Sequence, residues 1–346
     1  MNYTRRDIFK MGLATLPVIS LVSAAGLAAE EKPNSIFGGV QIGVIAPYSF
    51  HGMPDDAESV LKDLLAVGLS GVEMQHYCAE QFAGAPASPM MRGMFTGGGR
   101  RGPSGAGGAA ARGTRGPGRA QLTPEQQAAQ AEATEKLKGW RMSVSMDKFK
   151  ELRKLYNDAG VRIYALKLAV GRFPTPMSQE ECEYAFNMAE ALGANMLQME
   201  FTNDTNVTKQ LGDEGAKRKM MVGYHAHLDA SPTLWDEAMS QSKYNGINLD
   251  IGHYVAAGNT DLLAFIQKNH SRVTSLHLKD RKSKENGGAD LPWGEGDTPV
   301  KQVLQLMKKG KYGFPGTIEF EYPVPEGSDT LKEITKCVQF CSDTLA

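Results

Sequence analysis

The chain has 346 residues, a formal net charge of -1 at pH 7, and 41% hydrophobic residues. This length suits one large α/β domain. The near-neutral charge argues against nucleic acid as an obligate partner, because phosphate binding requires a basic surface. The four cysteines are too few for a disulfide framework. Cys337 and Cys341 have helical spacing and are interpreted as packing residues, with a disulfide or a soft-metal pair as the alternative.

The N-terminus has the pattern of a targeting segment. Thr4–Lys10 (TRRDIFK) resembles the twin-arginine export motif, and an apolar run, Met11–Ala29, follows it. We therefore predict that residues 1–29 form a cleaved signal peptide and that the mature protein works in the periplasm or another extracytoplasmic space. An uncleaved membrane anchor is the alternative, since the run is just long enough to span a bilayer. After cleavage no stable membrane insertion is expected.

The first elements after the signal alternate between strand and helix. The pattern predicts strand one at Gly39–Tyr48, an amphipathic helix at Asp55–Gly68, and strand two at Gly71–Tyr77. Strand two carries Glu73 and His76, which are predicted to bind substrate. A buried ion pair is the alternative role for Glu73.

A low-complexity insertion, Ala83–Gln121, interrupts the pattern. It consists mostly of Gly, Ala, Pro, Ser and Arg and contains no acidic residue. Such a composition cannot bury enough apolar surface to offset its ordering entropy, so a disordered insertion is predicted. It is interpreted as a solvated loop, with contact to nucleic acid or anionic polysaccharide as the alternative.

The alternation then continues to the C-terminus. The remaining predicted strands are Val161–Leu168, Asn195–Phe201, Val222–Asp229, 247–254 (INLDIGHY), Val273–Asp280 and Thr317–Tyr322. The remaining predicted helices are Gln121–Trp140, Ser145–Gly160, Ser178–Gly193, Val207–Met220, Asp261–His270, Thr298–Gly310 and Ser328–Leu345. Eight strands separated mostly by helices predict an α/β fold, a (β/α)8 TIM barrel that forms a single domain over residues 37–346.

Ionisable residues collect where the predicted strands end. Five of the seven histidines lie there, together with three carboxylates: His76, His225, His227, His253, His277, Glu200, Asp250 and Glu319. The carboxyl ends of the strands form the active face of a TIM barrel. Burying so many ionisable groups without a cation would be costly, so a divalent metal site is predicted.

Five short motifs in this order resemble a known family: YHAH (224–227), LDIGH (249–253), LHLKD (276–280), WGEGD (293–297) and IEFEY (318–322). They are similar to those of the xylose-isomerase-like TIM barrels, which include sugar phosphate isomerases/epimerases and the AP endonuclease family 2. The resemblance spans roughly residues 39–346, apart from the insertion. It implies one divalent ion, such as manganese, cobalt, magnesium or zinc. The implied ligands are Glu200, Asp250, His277 and Glu319, with His225 or His227 as the alternative to Glu200.

A metal site of this kind can polarise a carbonyl, so that a nearby base removes the adjacent proton. We predict His227 as that base, with His225 and Lys279 as further catalytic residues. Lys279 would offset oxyanion charge or, alternatively, pair with Asp280. His253 and Trp293 are predicted to bind substrate, with core packing as the alternative for Trp293.

The predicted function is isomerisation or epimerisation of a small-molecule carbohydrate, a non-phosphorylated sugar or keto-sugar, because export separates the protein from most sugar phosphates. The alternative is a lyase or hydratase that acts by β-elimination on a 3-keto-glycoside or an inosose. Two further classes are less well supported, a non-catalytic sugar-binding protein and an endonuclease. A related nuclease would need histidines on strand three and after strand seven, but strand three ends in Lys167 and Ala289–Asp297 contains no histidine. The sequence does not indicate an oligomeric state.

Overall fold

Eight parallel strands close into a barrel in the computed structural model, which describes residues 32–86, 123–169 and 173–346. The predicted signal peptide and most of the predicted insertion lie outside the described residues. A short strand, β1 (Ile36–Phe37), pairs antiparallel with β2. The eight barrel strands are β2 (Val40–Ala46), β3 (Gly71–Gln75), β4 (Arg162–Lys167), β5 (Met196–Glu200), β6 (Met221–His225), β7 (Asn245–Asp250), β8 (Val273–Leu278) and β9 (Gly316–Ile318). Each barrel strand pairs with the next in sequence, and β2 pairs with β9 to close the ring. The predicted TIM barrel is thus confirmed.

Helices surround the barrel and connect most of its strands. They are α1 (Ala57–Ala66), α2 (His76–Phe82), α3 (Pro124–Ser143), α4 (Asp147–Asp158), α5 (Gln179–Leu192), α6 (Thr205–Arg218), α7 (Asp236–Gln241), α8 (Ile251–Ala256), α9 (Leu262–Asn269), α10 (Val300–Gly310) and α11 (Thr330–Leu345). Their apolar faces pack on the outer side of the strands, so residues such as Val44, Leu249 and Leu276 are fully buried. The helices cover apolar residues of the strands, whereas buried polar side chains such as Gln198, Asn248 and Ser275 alternate with them.

Several strands end earlier than the sequence pattern indicated. β6 ends at His225, so His227 lies in the following loop, and β7 ends at Asp250. The Asp250 side chain accepts a hydrogen bond from the backbone N–H of His253 and caps α8, which places His253 on a helix. The predictions of longer strands through His76 and His253 were therefore wrong. A helix of one or two turns has too few residues to show a 3.6-residue period.

The long helix α3 is attached to the barrel by a buried ion pair. Arg141 donates two hydrogen bonds to Glu80 on α2, at 2.7 and 3.0 Å, and the Tyr184 hydroxyl donates a third at 3.1 Å. The guanidinium also lies 4.5 Å from the centre of the Phe173 ring. This pair joins the chain segments on either side of residues 87–122.

Replacing Arg141 with alanine should destabilise the fold by about 3–5 kcal/mol, because it leaves the Glu80 carboxylate buried without its charged partner. Chemical denaturation followed by circular dichroism would measure the change. The control is Lys136→Ala on the same helix, whose exposed ion pair with Glu132 should contribute little. An Arg141→Ala midpoint equal to that of the wild type would contradict this role.

None of the described helices has the length and apolar character required to cross a membrane. All four cysteines are buried and free of disulfides. Cys337 and Cys341 therefore pack in the core on α11, as the sequence indicated.

Candidate metal centre

Four side chains converge at the carboxyl end of the barrel. His225 is the last residue of β6 and Asp250 is the last residue of β7. His277 is the penultimate residue of β8, and Glu319 lies directly after β9. Each offers one ligand atom, and these atoms all lie within 4.8 Å of one another. The side chains come together because parallel strands of a closed barrel end at the same rim. No single segment of the sequence contains this group.

The donor set suits a divalent cation. Two imidazoles and two carboxylates are ligands that zinc, manganese and related ions accept. Oδ2 of Asp250 is buried and has no hydrogen bond of acceptable geometry, although Lys279 Nζ lies 3.0 Å away. A buried carboxylate oxygen without a hydrogen bond is costly, and a cation in this position would remove that cost. The four residues therefore fit a metal ion.

The pKa values of these groups reflect burial and mutual proximity. Burial raises the pKa of Asp250 to about 7, against the opposing effect of Lys279. Burial also disfavours ionisation of Glu319, but Lys279 and His277 outweigh it and hold its pKa well below the usual range. For His277, burial is outweighed by Glu73 and Glu319, which raise its pKa to about 10. Burial, with Lys167 and His277 nearby, keeps the pKa of His225 well below its usual value.

Glu200 lies outside this group. One oxygen is 3.0 Å from Lys167 Nζ and the other is 3.4 Å from His227 Nδ1. The structure therefore does not support the prediction of Glu200 as the first metal ligand. It instead brings His225, the alternative, into contact with the other three residues. Sequence alone could not choose between them, because both lie at strand ends.

His227 stands at the rim, above the buried group. Its side chain is 51% exposed, and its ring centre lies 4.9 Å from that of His225 and 4.7 Å from that of His253. Nδ1 is the ring nitrogen near Glu200, at 3.4 Å, so Nε2 is the nitrogen that could accept a proton from a substrate. A partly exposed imidazole oriented by a carboxylate has the arrangement of a general base.

Lys279 occupies the centre of the mouth and is 2% exposed. Its Nζ lies 3.0 Å from Asp250, 3.1 Å from Glu319 and 2.7 Å from Glu321. These carboxylates outweigh burial and hold the pKa of Lys279 well above its usual value. The alternative pairing with Asp280 does not form. Asp280 instead accepts three backbone N–H groups from the loop that follows β8.

His253 lies between two cationic side chains. Arg281 Nη1 is 2.7 Å from its Nδ1 and Lys279 Nζ is 3.2 Å from its Nε2. Burial together with Lys279 and His227 keeps its pKa well below the usual value. His225, His227 and His253 also bring ligand atoms within 4.8 Å. A metal ion among these three is disfavoured, because both ring nitrogens of His253 already face positive charge.

Three residues predicted to bind substrate lie elsewhere. Glu73 is fully buried below the rim and contacts His277 Nε2 at 3.1 Å. His76 is fully buried beside Glu80 and accepts a hydrogen bond from the Ala169 backbone N–H. Trp293 packs edge-to-face on Phe340 of α11, with ring centres 5.6 Å apart. The structure gives each of them a partner within the protein, and their contact with a substrate stays a prediction. Their positions follow from packing between elements that are distant in sequence.

Sequence reasoning missed one part of the mouth. The Tyr48 hydroxyl, just after β2, donates a short hydrogen bond to Glu321, which in turn contacts Lys279. Burial, with Glu321 and Glu319 nearby, raises the pKa of Tyr48 above its usual value. Arg281 pairs with Asp290 at 3.3 Å on the same side of the mouth. The position of Tyr48 at the end of predicted strand one was a signal that could have indicated it.

Solved structures with the same architecture cover nearly the whole chain. A probable 3-DHS dehydratase from Bacillus anthracis has a TM-score of 0.55 at 14% identity, covering 86% of this chain and 98% of that one. A sugar phosphate isomerase/epimerase from Parabacteroides distasonis has a TM-score of 0.54 at 13% identity, covering 96% and 100%. The 3-keto-D-glucoside 4-epimerase of E. coli has a TM-score of 0.52 at 10% identity, covering 87% and 100%. At these identities the similarity shows the fold alone.

A search of curated protein sequences finds no match to this chain. A family model gives a direct assignment. The model described as xylose isomerase-like TIM barrel matches residues 127–339, more than half of the 346 residues. Together with the closed barrel, this match shows that the chain belongs to the xylose isomerase-like TIM barrel family.

Proposed function

We propose that the protein is a metal-dependent sugar isomerase or epimerase that removes a proton from the carbon next to a carbonyl. The observation that carries this proposal is the position of His227 beside His225, Asp250, His277 and Glu319, whose ligand atoms lie within 4.8 Å of one another. These four residues would hold one divalent ion. When bound, such an ion supplies a Lewis acid for the carbonyl oxygen, which makes the adjacent C–H bond acidic.

His227 takes the proton in this scheme. The Glu200 carboxylate, 3.4 Å from His227 Nδ1, would stabilise the imidazolium that forms, while Lys167, 3.0 Å from Glu200, would keep the carboxylate in place. Lys279, whose Nζ lies 3.0 Å from Asp250 and 3.1 Å from Glu319, would offset negative charge that develops on the substrate oxygen.

The opposite wall of the mouth contains a second set of proton carriers. β6, which leads to His227, is four places from β2 in the closed ring of eight strands, so Tyr48 lies across the mouth from His227. Tyr48 shares a hydrogen bond with Glu321, which contacts Lys279. Proton removal by His227 and return from the Tyr48 side would invert the carbon, which favours epimerisation. Protonation of a leaving oxygen from that side would instead give elimination, the second candidate reaction.

The charge of the mouth favours a neutral substrate. Lys167, Lys279 and Arg281, the basic side chains that the described strand ends bring to the mouth, each already face a carboxylate within 3.3 Å. A phosphate would need an uncommitted cationic partner. A free sugar or keto-sugar needs hydrogen bonds only. The predicted export of the protein supports the same substrate class.

A test in heavy water distinguishes the reactions. The metal-loaded protein would be incubated in D2O with a panel of keto-sugars and 3-keto-glycosides and followed by NMR. We expect deuterium to enter the carbon next to the carbonyl, together with an epimer or an aldose–ketose isomer. Loss of a β-oxygen substituent would establish the lyase alternative. Saturable binding without exchange into any member of the panel would contradict catalysis and indicate a sugar-binding protein.

A further inference from the structure

A layer of polar side chains lies one step below the candidate ligands inside the barrel. We call Glu73, Gln198, Asn248 and Ser275 the lower polar layer; all four are fully buried. Asn248 and Ser275 precede Asp250 and His277 by two residues, and side chains two apart on a strand point to the same face. Nothing in the proposed chemistry uses these residues. Their hydrogen bonds, however, lead directly to the two histidines of the candidate metal centre.

The donor and the acceptor of each hydrogen bond around Ser275 can be assigned. Its hydroxyl oxygen accepts from Asn248 Nδ2 at 2.6 Å and from Gln198 Nε2 at 2.9 Å. Its own proton is left to donate to Glu73 Oε2 at 3.5 Å. A hydroxyl has one proton and two lone pairs, so these three contacts use its full capacity. The orientation of the Asn248 amide follows, with Nδ2 toward Ser275 and Oδ1 away from it.

This orientation determines which nitrogen of His225 carries a proton. Asn248 Oδ1 lies 3.0 Å from His225 Nδ1. An amide oxygen can only accept, so Nδ1 must donate. An imidazole that binds a metal ion keeps a single proton, so with Nδ1 donating to Asn248 the lone pair lies on the other nitrogen, Nε2. That nitrogen is available to a metal ion.

His277 has the opposite arrangement. Its Nε2 lies 3.1 Å from Glu73 Oε1, and its Nδ1 lies 2.9 Å from Glu319 Oε2. A carboxylate accepts only, so the Glu73 contact requires a proton on Nε2. The nitrogen that can give up its proton to a cation is Nδ1, which faces the candidate ligand Glu319. Two histidines of one site thus present different ring nitrogens.

We propose that Glu73 and Asn248 are positioning residues that select the metal-binding nitrogen of each histidine, Nδ1 of His277 and Nε2 of His225. This inference rests on the proposed metal centre. Ser275 connects the two residues, so a change at either end disturbs the orientation of the other. A carboxylate that accepts from a ligating histidine also increases the basicity of the ring, and such partners contribute about 10- to 100-fold to metal affinity.

Two-bond 1H–15N correlation spectra of protein labelled with 15N-histidine read the protonation of each ring nitrogen directly. In the protein loaded with diamagnetic Zn2+, we expect a proton on Nδ1 of His225 and on Nε2 of His277. Assignment uses His225→Gln and His277→Gln spectra. The opposite pattern at either histidine would overturn the proposal. Protein without metal gives a second reading, since the contact with Asn248 Oδ1 should already hold a proton on Nδ1 of His225.

Glu73→Gln tests the contribution of the carboxylate with little change in shape. We expect Zn2+ affinity to fall by about 10- to 100-fold, because a glutamine amide can donate as well as accept and no longer requires a proton on Nε2. The control is Glu333→Gln, another buried carboxylate, which contacts Tyr322 and Lys336 and no histidine. It should leave the affinity unchanged. Equal affinities for Glu73→Gln and the wild type would overturn the role of Glu73.

A pair of substitutions at Asn248 provides an independent reading if Glu73→Gln does not fold. Asn248→Asp keeps an acceptor for His225 Nδ1–H and should keep that proton in place. Asn248→Leu removes the acceptor and should mix the two tautomers and weaken Zn2+ binding. Identical His225 spectra for the two variants would contradict the proposal. These readings need no substrate, so they are separate from the sugar test, which alone decides the proposed reaction.

Discussion

Replacing His225 with alanine should remove the metal ion and turnover together, whereas replacing Glu200 with glutamine should leave the ion bound. The reason is geometric. His225 contributes a ligand atom within 4.8 Å of those of Asp250, His277 and Glu319, while the Glu200 oxygens face Lys167 and His227. We expect the affinity for Zn2+ to fall by more than about 100-fold in His225→Ala, since a lost ligand should cost more than a lost outer partner.

Metal content after dialysis and titration calorimetry would measure the effect. Asp250→Ala and His277→Ala serve as positive controls, because both remove members of the same four-residue group. A Glu200→Gln protein without metal, next to a His225→Ala protein that retains it, would reverse the assignment. Glu200, at the end of β5, would then be the ligand that the family resemblance implied.

Replacing His227 with alanine should leave the ion in place and lower turnover by about 10²–10⁴-fold, the usual contribution of a general base. His227 is half-exposed at the rim and lies outside the four-residue group. Solvent deuterium should enter the substrate carbon much more slowly than in the wild type. Glu200→Gln should also slow exchange, to a smaller extent, because it removes the charge that stabilises the imidazolium.

His270→Ala is a suitable control for the loss of a histidine. His270 lies at the C-terminus of α9 and stacks on Tyr312, with ring centres 5.0 Å apart. Its removal should not change exchange. Loss of metal in His227→Ala would show that His227 is a ligand. Retention of both the metal and full exchange would exclude it as the base, and His225, Glu200 and Glu319 would be tested next.

The His225→Ala and His227→Ala variants test one difference, between a side chain buried below the rim and one exposed above it. His225 and His227 are two residues apart and would share a face of a longer strand. Because β6 ends at His225, the first remains buried among the ligands and the second turns outward with the loop. The two histidines are chemically identical. Their different roles follow from the point at which β6 stops pairing with β5 and β7.

The sequence by itself determined the barrel and the rim on which the site is built. Eight apolar runs with intervening amphipathic helices leave few other folds, because each strand must be covered on both faces. Since Asp250, His277 and Glu319 each follow such a run, their convergence also followed from the sequence, through the common rim of parallel strands. These inferences need only the period of the pattern and the direction of the chain.

Only the tertiary structure decided which neighbours each ionisable group acquires. Glu200 pairs with Lys167 on the adjacent strand, Glu73 reaches His277 across the interior, and His76 is buried beside Glu80. These partners can be far apart in sequence, and Glu73 and His277 are separated by 204 residues. A strand pattern shows which face a side chain takes but not its depth in the barrel or the charge opposite it. Burial and the nearest opposite charge determine whether a carboxylate binds metal, orients a histidine or closes a structural ion pair.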